Sequence, residues 1–400
     1  MFIKEQNKIS SCLACGKGDL DSSLFLIRDL PLVDKFMPSC QESKAVLRSD
    51  VNLRKCSVCS TVQIDNPIKP NLLFDDYIYE SSSSPDLENH FSSFANDIRN
   101  RFDPENSEIL EIGINDGLLA KKLINKGNKI TGIDPSPQTK RLENESIEII
   151  NGYFGSEEVN RNLKSKKFDL IIANNVLSHI PNMLDVLNGI QSILKKKGTL
   201  IFEVQSLTHM LRGVVFDYIY HEHIFYHSLL SLDKLLSMAG LEIYDLSIHP
   251  VKGGSYRIFA SFKNEHTVKT KVFYEKYQEK MILNSDFSTW NELQKYLELI
   301  KEKINFSIEN KELIVGYGAC ATGTVLQRYF NLESKINSII DDNPKRQCLY
   351  TPGFGIEVKN DSILQENPFV IVLAWRHLNY FENKLKNLHF IRPLPISYIK

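Results

Sequence analysis

The middle of the chain alternates short apolar runs with amphipathic stretches. Phe168–Ala173 is almost wholly apolar, which is typical of a parallel strand buried on both faces of a sheet. Strands that alternate with helices predict an open, doubly wound α/β sheet. The pattern places strands at Glu108–Gly113, Lys129–Asp134, Ile147–Asn151 and Thr199–Val204, and helices at Leu118–Lys126 and from about Gln138.

Two further apolar runs, Leu241–Ile248 and Ser255–Phe262, are joined by a loop that contains Gly253 and Gly254. We expect them to form an antiparallel edge, which brings the sheet to seven strands. A polar, helix-rich connector runs from about residue 264 to 310, and another strand–glycine–helix unit follows it. We therefore predict three domains, at residues 1–72, 73–262 and 263–400.

The composition is that of an ordinary globular protein, with 42% hydrophobic and 24% charged residues among 400 and a net charge of −1. Lys and Arg form no basic block, so we expect neither nucleic acid nor a membrane as a partner. The N-terminus lacks the apolar core of a signal peptide, and the longest apolar run, Phe369–Trp375, is too short to span a bilayer. These features favour a cytoplasmic protein, which we expect to be a monomer or weak homodimer.

Four of the seven cysteines form two tight pairs, Cys12-x-x-Cys15 and Cys56-x-x-Cys59. Two such pairs can supply four thiolates to a tetrahedral Zn²⁺ at about 2.3 Å. The alternative is four unrelated thiols, which the two matched spacings disfavour. Because four sulfur ligands leave no open position, we predict a structural zinc site.

The segment Glu111–Gly117 follows a predicted strand and opens a helix. Gly113 permits a tight turn there, and Gly117 permits a close approach of the backbone to a ligand. The next strand ends in Asp134, whose carboxylate can accept hydrogen bonds from both hydroxyls of a ribose. The alternative interpretation is a glycine turn without a ligand.

This loop lacks the three glycines that a pyrophosphate needs, so S-adenosylmethionine suits it better than a dinucleotide. A second pair of polar residues follows Phe168–Ala173, at the edge where ligands bind to open α/β sheets. His179 comes shortly after it, as an active-site group or as a locally satisfied histidine. We expect the cofactor to contact Glu111, Gly113, Asn115, Asp116, Gly117, Asp134, Asn174 and Asn175.

A histidine-rich segment, Tyr220–His223, follows the fifth strand of the sheet. If it is extended, Tyr220 and Glu222 face one side and the two histidines the other. Two histidines at this spacing could bind a metal, but no third ligand accompanies them. Proton transfer suits them better, because imidazole titrates near neutrality and Glu222 could orient or tune it.

With these motifs the sequence resembles the deoxysugar C-methyltransferases, which methylate a nucleotide-linked keto sugar at carbon, commonly C-3. The resemblance covers essentially the whole chain. It implies a zinc-binding domain, a central seven-stranded Rossmann-like methyltransferase domain and a C-terminal Rossmann-like domain that helps to hold the nucleotide sugar. The motifs are the two cysteine pairs, Leu73–Ser84, Glu111–Gly117, Ala173–Pro181, Tyr220–His223, Val251–Arg257 and Gly316–Ala319.

The resemblance also implies site residues. It places the four cysteines on zinc, and Gly113, Asp134 and the Asn174–Asn175 pair on the cofactor. His223 corresponds to the base that removes a proton next to the sugar ketone, with Tyr220 and Glu222 beside it. His179 and a tyrosine, Tyr79 in preference to Tyr77, are further active-site groups.

Two positions depart from the family pattern: Thr322 stands where a basic residue is expected, and Arg376 where an amide is usual. Both lie in the part expected to grip the diphosphate or sugar. One alternative function is O- or N-methylation of a nucleotide sugar, which needs a base near a hydroxyl or amine. A second is a zinc-ribbon binding protein with a vestigial methyltransferase fold.

Overall fold

The computed structural model describes residues 9–74, 85–102, 105–125, 127–142, 146–283, 286–395 and 397–399. Three sheets organise these residues. Among them, no helix combines the length and the apolar composition needed to cross a membrane.

The first sheet is antiparallel and has the order β1-β2-β3-β9. Its fourth strand comes from the middle of the chain and pairs with β3 through Val62 and Gln63. The N-terminal sheet is therefore not built from residues 1–72 alone. Its elements are β1 (Leu20–Pro31), α1 (Cys40–Lys44), β2 (Arg48–Cys56), β3 (Val62–Ile64), α2 (Pro70–Phe74) and β9 (Phe225–Tyr226).

The second sheet has the seven predicted strands, in the order β10-β11-β8-β7-β4-β5-β6. All neighbours pair in parallel except β11, which is antiparallel to both β8 and β10, so the predicted antiparallel edge is confirmed. The strands are β4 (Glu108–Ile112), β5 (Lys129–Asp134), β6 (Ile147–Asn151), β7 (Phe168–Asn174), β8 (Leu194–Gln205), β10 (Leu241–His249) and β11 (Ser255–Phe262).

Helices cover both faces of this sheet. In β7, Leu170 and Ile172 pack on one side with Phe94, while Ile171 and Ala173 pack on the other. Successive side chains of a strand alternate between the faces, which is why the run is apolar throughout its centre. The helices are α3 (Pro85–Phe102), α4 (Leu118–Leu123), α5 (Ser156–Glu158), α6 (Met183–Ile193), α7 (Leu207–Arg212) and α8 (Leu229–Met238).

Two helix predictions need correction. Helix α4 ends at Leu123 instead of continuing to Lys126, because the Asn128 side chain donates a 2.8 Å hydrogen bond to the Leu123 carbonyl and closes the helix. The helix expected from about Gln138 is a short 3₁₀ segment, Pro137–Leu142.

The third sheet is parallel except for its last strand and has the order β14-β13-β12-β15-β16-β17. Two long helices connect it to the second sheet, in the stretch predicted to be helical. The elements are α9 (Thr270–Leu283), α10 (Asp286–Ile308), β12 (Ile314–Tyr317), α11 (Ala321–Tyr329), β13 (Ser338–Ile340), β14 (Val358–Lys359), β15 (Phe369–Val372), α12 (Leu378–Leu385), β16 (Phe390–Arg392) and β17 (Ser397–Ile399).

Candidate active site

A cavity of about 940 Å³ lies at the carboxyl ends of β4, β5 and β7. Its walls come from the regions of all three sheets, with Asp34 from the N-terminal region, Gly113 and His223 from the middle and Arg346 from the C-terminal region. The volume is near the upper end of the range of about 300–1,000 Å³ for ligand pockets. We call the wall made by the strand ends the loop side, and the wall that contains His223 the histidine side.

On the loop side, Gly113 makes the tight turn after β4. Its φ is +74°, and a Cβ atom at this position would lie 2.8 Å from Cγ2 of Val176, so only glycine fits. The next turn brings the backbone N–H of Asn115 to Asp134 Oδ2 at 3.0 Å, while Ser136 N–H donates to Oδ1 at 2.8 Å. These bonds fix the Asp134 carboxylate, which lines the cavity.

Asp116 and Gly117 do not line the cavity. Asp116 Oδ1 accepts a 3.3 Å hydrogen bond from Leu118 N–H in the first turn of α4. Gly117 has a φ of +75°, and a Cβ there would lie 2.6 Å from Leu142 Cδ2. The expected reason for this glycine is corrected: its missing side chain makes room for Leu142 and not for a ligand.

Glu111 is buried at the base of the loop side. Burial, followed by the nearby Asp116 and Asp134, raises the pKa of Glu111 to about 8. Its Oε2 atom is buried and has no hydrogen-bond partner among the described residues. An acid with an unsatisfied oxygen in a cavity wall is a natural place for a polar ligand group.

Asn174 and Asn175 also line the loop side, at the end of β7. Asn175 adopts a φ of +52°, and its side-chain amide donates to Asn174 Oδ1 at 3.0 Å. The structure therefore brings together Glu111, Gly113, Asn115, Asp134 and this asparagine pair at one wall, as expected from parallel strand ends.

The histidine-rich segment is not extended, so the predicted alternation of its side chains is wrong. The chain turns at residues 220–222, and His223 N–H donates to the Tyr220 carbonyl at 3.1 Å. Tyr220, Glu222 and His223 consequently all line the cavity. His221 points elsewhere: it is buried, and its Nε2 lies 3.3 Å from the Ser49 carbonyl.

The His223 ring is held by a backbone group. Its Nδ1 lies 2.8 Å from the Tyr218 carbonyl oxygen. Because a carbonyl can only accept, Nδ1 carries the proton and Nε2 keeps its lone pair. The expectation that Glu222 orients this imidazole is therefore corrected, since Tyr218 does so.

The electrostatics keep His223 neutral. Burial, then His179 and Lys252, place the pKa of His223 well below its usual value. The His179 ring stands edge-on to it at a centroid distance of 4.9 Å, and burial lowers the pKa of His179 to about 4. Burial together with Asp34 raises the pKa of Glu222 to about 8. A neutral imidazole thus shares the histidine side with a carboxyl group that is largely protonated at neutral pH.

The sequence did not single out four side chains that line this cavity: Tyr218, Lys252, Arg346 and Arg392. Lys252 lies in the Val251–Arg257 motif, has a φ of +53°, and its carbonyl accepts a 2.8 Å hydrogen bond from Gln205 Nε2. Its place in this motif could have identified Lys252 from the sequence. Tyr218 lies two residues before Tyr220, within the same histidine-rich stretch, whereas Arg346 and Arg392 occur outside any short motif and only the fold brings them here.

The predicted active-site tyrosine, Tyr79 in preference to Tyr77, is a separate case. Tyr79 and Tyr77 both lie outside the described residues. The other candidate catalytic residues, His223, Glu222, Tyr220 and His179, line the same cavity.

The four paired cysteines form one buried cluster, and none of them lines the cavity. All four sulfur atoms lie within 4.8 Å of one another, and the Cys12–Cys59 and Cys15–Cys56 sulfur distances are both 3.7 Å. Four sulfurs at about 2.3 Å from a tetrahedral zinc ion would be about 3.8 Å apart. The cluster therefore has the donor set and the spacing of a closed zinc site.

Comparison with known proteins agrees with this architecture. A family model for a methyltransferase domain matches residues 87–246, and a model for a C-methyltransferase C-terminal domain matches residues 250–395. The C-methyltransferase NovU of Streptomyces niveus is 25% identical over 405 residues, covering 97% of this chain and 96% of that protein. A ubiquinone biosynthesis O-methyltransferase of Actinobacillus pleuropneumoniae is 26% identical over 25% of this chain and 47% of its own length.

Solved structures resemble part of the chain. An S-adenosylmethionine-dependent methyltransferase from Clostridium acetobutylicum has a TM-score of 0.36 and 13% identity, over 44% of this chain and 92% of that one. A magnesium protoporphyrin IX methyltransferase from Synechocystis has a TM-score of 0.35 and 16% identity, over 44% and 83%. The two matched models together with the full-length relative show that this chain belongs to the C-methyltransferase family.

Proposed function

We propose that the protein is an S-adenosylmethionine-dependent C-methyltransferase that acts at C-3 of a nucleotide-linked 4-keto deoxysugar, in branched-sugar biosynthesis. The observation that carries the proposal is the 2.8 Å contact of His223 Nδ1 with the Tyr218 carbonyl oxygen, which fixes the tautomer of His223. Its Nδ1 proton is committed to the Tyr218 carbonyl, so Nε2 is free to take a proton from carbon. The family comparison supports transfer to carbon, and the choice of sugar is an extension from the side chains below.

The loop side suits S-adenosylmethionine. Asp134 presents a fixed carboxylate for the ribose hydroxyls, and each of its oxygens can accept a further hydrogen bond. Glu111 and the Asn174–Asn175 pair are placed for the amino-acid end, where the unsatisfied Glu111 oxygen could meet an ammonium group. When bound, the cofactor supplies an electrophilic methyl group to a carbon nucleophile.

The histidine side suits enolate formation. A proton next to a ketone is acidic because its charge spreads onto the carbonyl oxygen, and His223 Nε2 would remove it. Lys252 and the protonated Glu222 are donors on the same wall, close enough that Lys252 affects the pKa values of both His223 and Glu222. One donor aimed at a developing oxyanion is typically worth about 3–4 kcal/mol. Tyr220 and His179 are further candidates for this role.

The C-terminal wall suits a diphosphate. Arg346 and Arg392 line it beside Arg376, whose guanidinium is already paired with Asp217, and the first turn of α11 adds Ala321 and Thr322. Helix N-termini and guanidinium groups are common phosphate-binding elements. Arg346 is partly engaged by the Ala319 carbonyl and by Asp34, 3.7 Å away. These features favour a nucleotide-linked sugar over a free sugar.

We further propose that the cysteine cluster holds a structural zinc ion. The four buried sulfurs leave no position for a substrate or water molecule. We therefore derive no catalytic step from it.

The experiment is an assay over a panel of nucleotide-linked 4-keto deoxysugars with S-adenosylmethionine, with NMR of the product. A C-3 methyl singlet, with no proton on the methylated carbon, is the expected result. A product methylated at oxygen or nitrogen would refute the proposal and support the O- or N-methyltransferase alternative. Absence of cofactor binding in calorimetry would favour a vestigial fold.

A further inference from the structure

The carboxylate of Asp217 is completely buried. Arg376 binds it with two parallel hydrogen bonds, NH1 to Oδ2 at 2.9 Å and NH2 to Oδ1 at 2.7 Å, and Trp375 Nε1 donates to Oδ2 at 2.9 Å. Trp375 and Arg376 follow β15, whereas Asp217 lies in the 3₁₀ turn Phe216–Tyr218. We call these three residues the latch.

The latch is connected to His223, on the histidine side, through Tyr218. Tyr218 is the residue after Asp217, and its carbonyl oxygen accepts the hydrogen bond from His223 Nδ1. The Arg376 guanidinium also lies over the Tyr218 ring, 4.4 Å from its centroid, and this ring stacks on His223 at 6.0 Å. Two contacts therefore connect Arg376 with the imidazole, one through the backbone and one through the ring.

Arg376 is consequently committed to protein groups. Both of its terminal nitrogens face Asp217, which limits its use as a phosphate ligand. A bidentate guanidinium–carboxylate pair fixes both position and orientation, which an amide at this position could not do equally well.

We propose that Arg376 and Trp375 are positioning residues for the base: by clamping Asp217 they hold the Tyr218 carbonyl where it keeps the proton of His223 on Nδ1 and the lone pair on Nε2. The catalytic meaning of this inference rests on the proposed function. The third sheet would then prepare the base for proton removal in addition to forming a wall of the cavity. This gives the departure at Arg376 a specific role.

The direct test is the tautomer of His223, observed by ¹⁵N–¹H NMR of protein labelled at histidine, which needs no substrate. Wild type should show the proton on Nδ1. Asp217→Asn should show a detectable share of the proton on Nε2, and Trp375→Phe, which removes one of three hydrogen bonds, a smaller share. Arg392→Gln is the matched control, because it removes a guanidinium from the same cavity wall without touching Asp217. An unchanged tautomer in both latch variants would overturn the proposal.

Kinetics provide the second test. In Asp217→Asn, kcat should fall about 10- to 100-fold, because a displaced base loses its alignment, while KM changes less than 3-fold. In Trp375→Phe, kcat should fall about 3- to 10-fold. Arg392→Gln should instead raise KM with little change in kcat. The double variant Asp217→Asn/Arg376→Gln, which leaves neither charge unpaired, should recover part of the lost kcat.

If the latch variants lose kcat but keep the wild-type tautomer of His223, the positioning role is overturned. Failure of the proposed function appears differently. If wild type methylates none of the keto sugars, the tautomer measurement still decides whether the latch controls His223. Trp375→Phe keeps the test valid if Asp217→Asn fails to fold.

Discussion

His223 can act as a base because of its surroundings. A histidine hydrogen-bonded to a backbone carbonyl through Nδ1 has one defined acceptor nitrogen, and burial keeps the ring neutral. The sequence identified this residue through its neighbours and the family resemblance. It misjudged how the neighbours help, because Glu222 and Tyr220 reach the cavity through a turn.

Replacing His223 with Asn should lower kcat about 100- to 10,000-fold, since an amide cannot accept the proton. Cofactor affinity should stay within 2- to 3-fold of wild type, because the loop side is untouched. The matched control is His221→Asn, a buried histidine two residues away that does not line the cavity. Near-normal turnover in His223→Asn would refute the base assignment, as would an equal loss in both variants.

Glu111 should report cofactor binding by releasing a proton. Its pKa of about 8 in the free protein means that it is mostly protonated at pH 7. A bound ammonium group favours the carboxylate and lowers this pKa, so binding should release up to about one proton per site. Titration calorimetry with S-adenosylhomocysteine in buffers of different ionisation enthalpy measures that number.

The proton release should decrease as the pH rises above about 8, where Glu111 is already ionised. Glu111→Gln should abolish it. A binding enthalpy that is independent of the buffer at pH 7 would show that Glu111 does not meet the ligand's charge.

At the scale of elements, the cysteine cluster joins the segment before β1 to the end of β2. A four-thiolate zinc site contributes folding energy directly, because its ligands are assembled only in the folded chain. Cys56→Ser should therefore lower the zinc content and reduce the melting temperature. Elemental analysis and thermal unfolding, with and without a chelator, measure both.

Cys348→Ser is the control for this element, because Cys348 is an exposed thiol outside the cluster. It should leave both the zinc content and the melting temperature unchanged. One zinc per chain in Cys56→Ser would contradict the metal assignment.

The elements of the second sheet were largely predictable from the sequence. Strands β5, β6 and β11 have the predicted bounds, because their apolar positions are flanked by polar, glycine or proline residues. The end of helix α4 was not predictable in this way, because a side chain from outside the helix, Asn128, closes it at Leu123. A local capping contact overrides the periodic pattern there.

For the molecule as a whole, buried ionisable groups make the stability depend on pH. Burial lowers the pKa values of His179 and His221 to about 4 and of His227 to about 3, and it also lowers that of His223. The unfolded chain binds protons at these four sites below about pH 6.5 and the native state does not, so these four sites lower the stability as the pH decreases.

Glu111 and Glu222 act in the opposite direction. Burial raises both pKa values to about 8, so the native state holds two protons that the unfolded chain releases above about pH 4.5. Between about pH 6.5 and 8 the acids dominate, and stability falls as the pH increases.

Chemical unfolding across pH 4.5–8.5 measures this profile. His227 has no hydrogen-bond partner among the described residues, so His227→Leu should reduce the acid-side slope without breaking a bond. Each proton contributes about 1.4 kcal/mol per pH unit. A profile that does not fall between about pH 6.5 and 8, or one whose acid side is unaffected by His227→Leu, would contradict the account.

The sequence by itself determined the fold class, the seven strands of the central sheet, the cysteine pairing pattern and the candidate residues on the loop side and the histidine side of the cavity. These follow from local sequence patterns, namely apolar runs, glycine turns and short motifs. Tertiary structure alone decided which way the side chains point. The turn at residues 220–222 sends Glu222 inward and His221 to Ser49, and β15 brings Arg376 to Asp217, 159 residues earlier in the chain. Such pairings depend on how sheets pack together, and contacts between distant segments leave no periodic or spacing signal in one sequence.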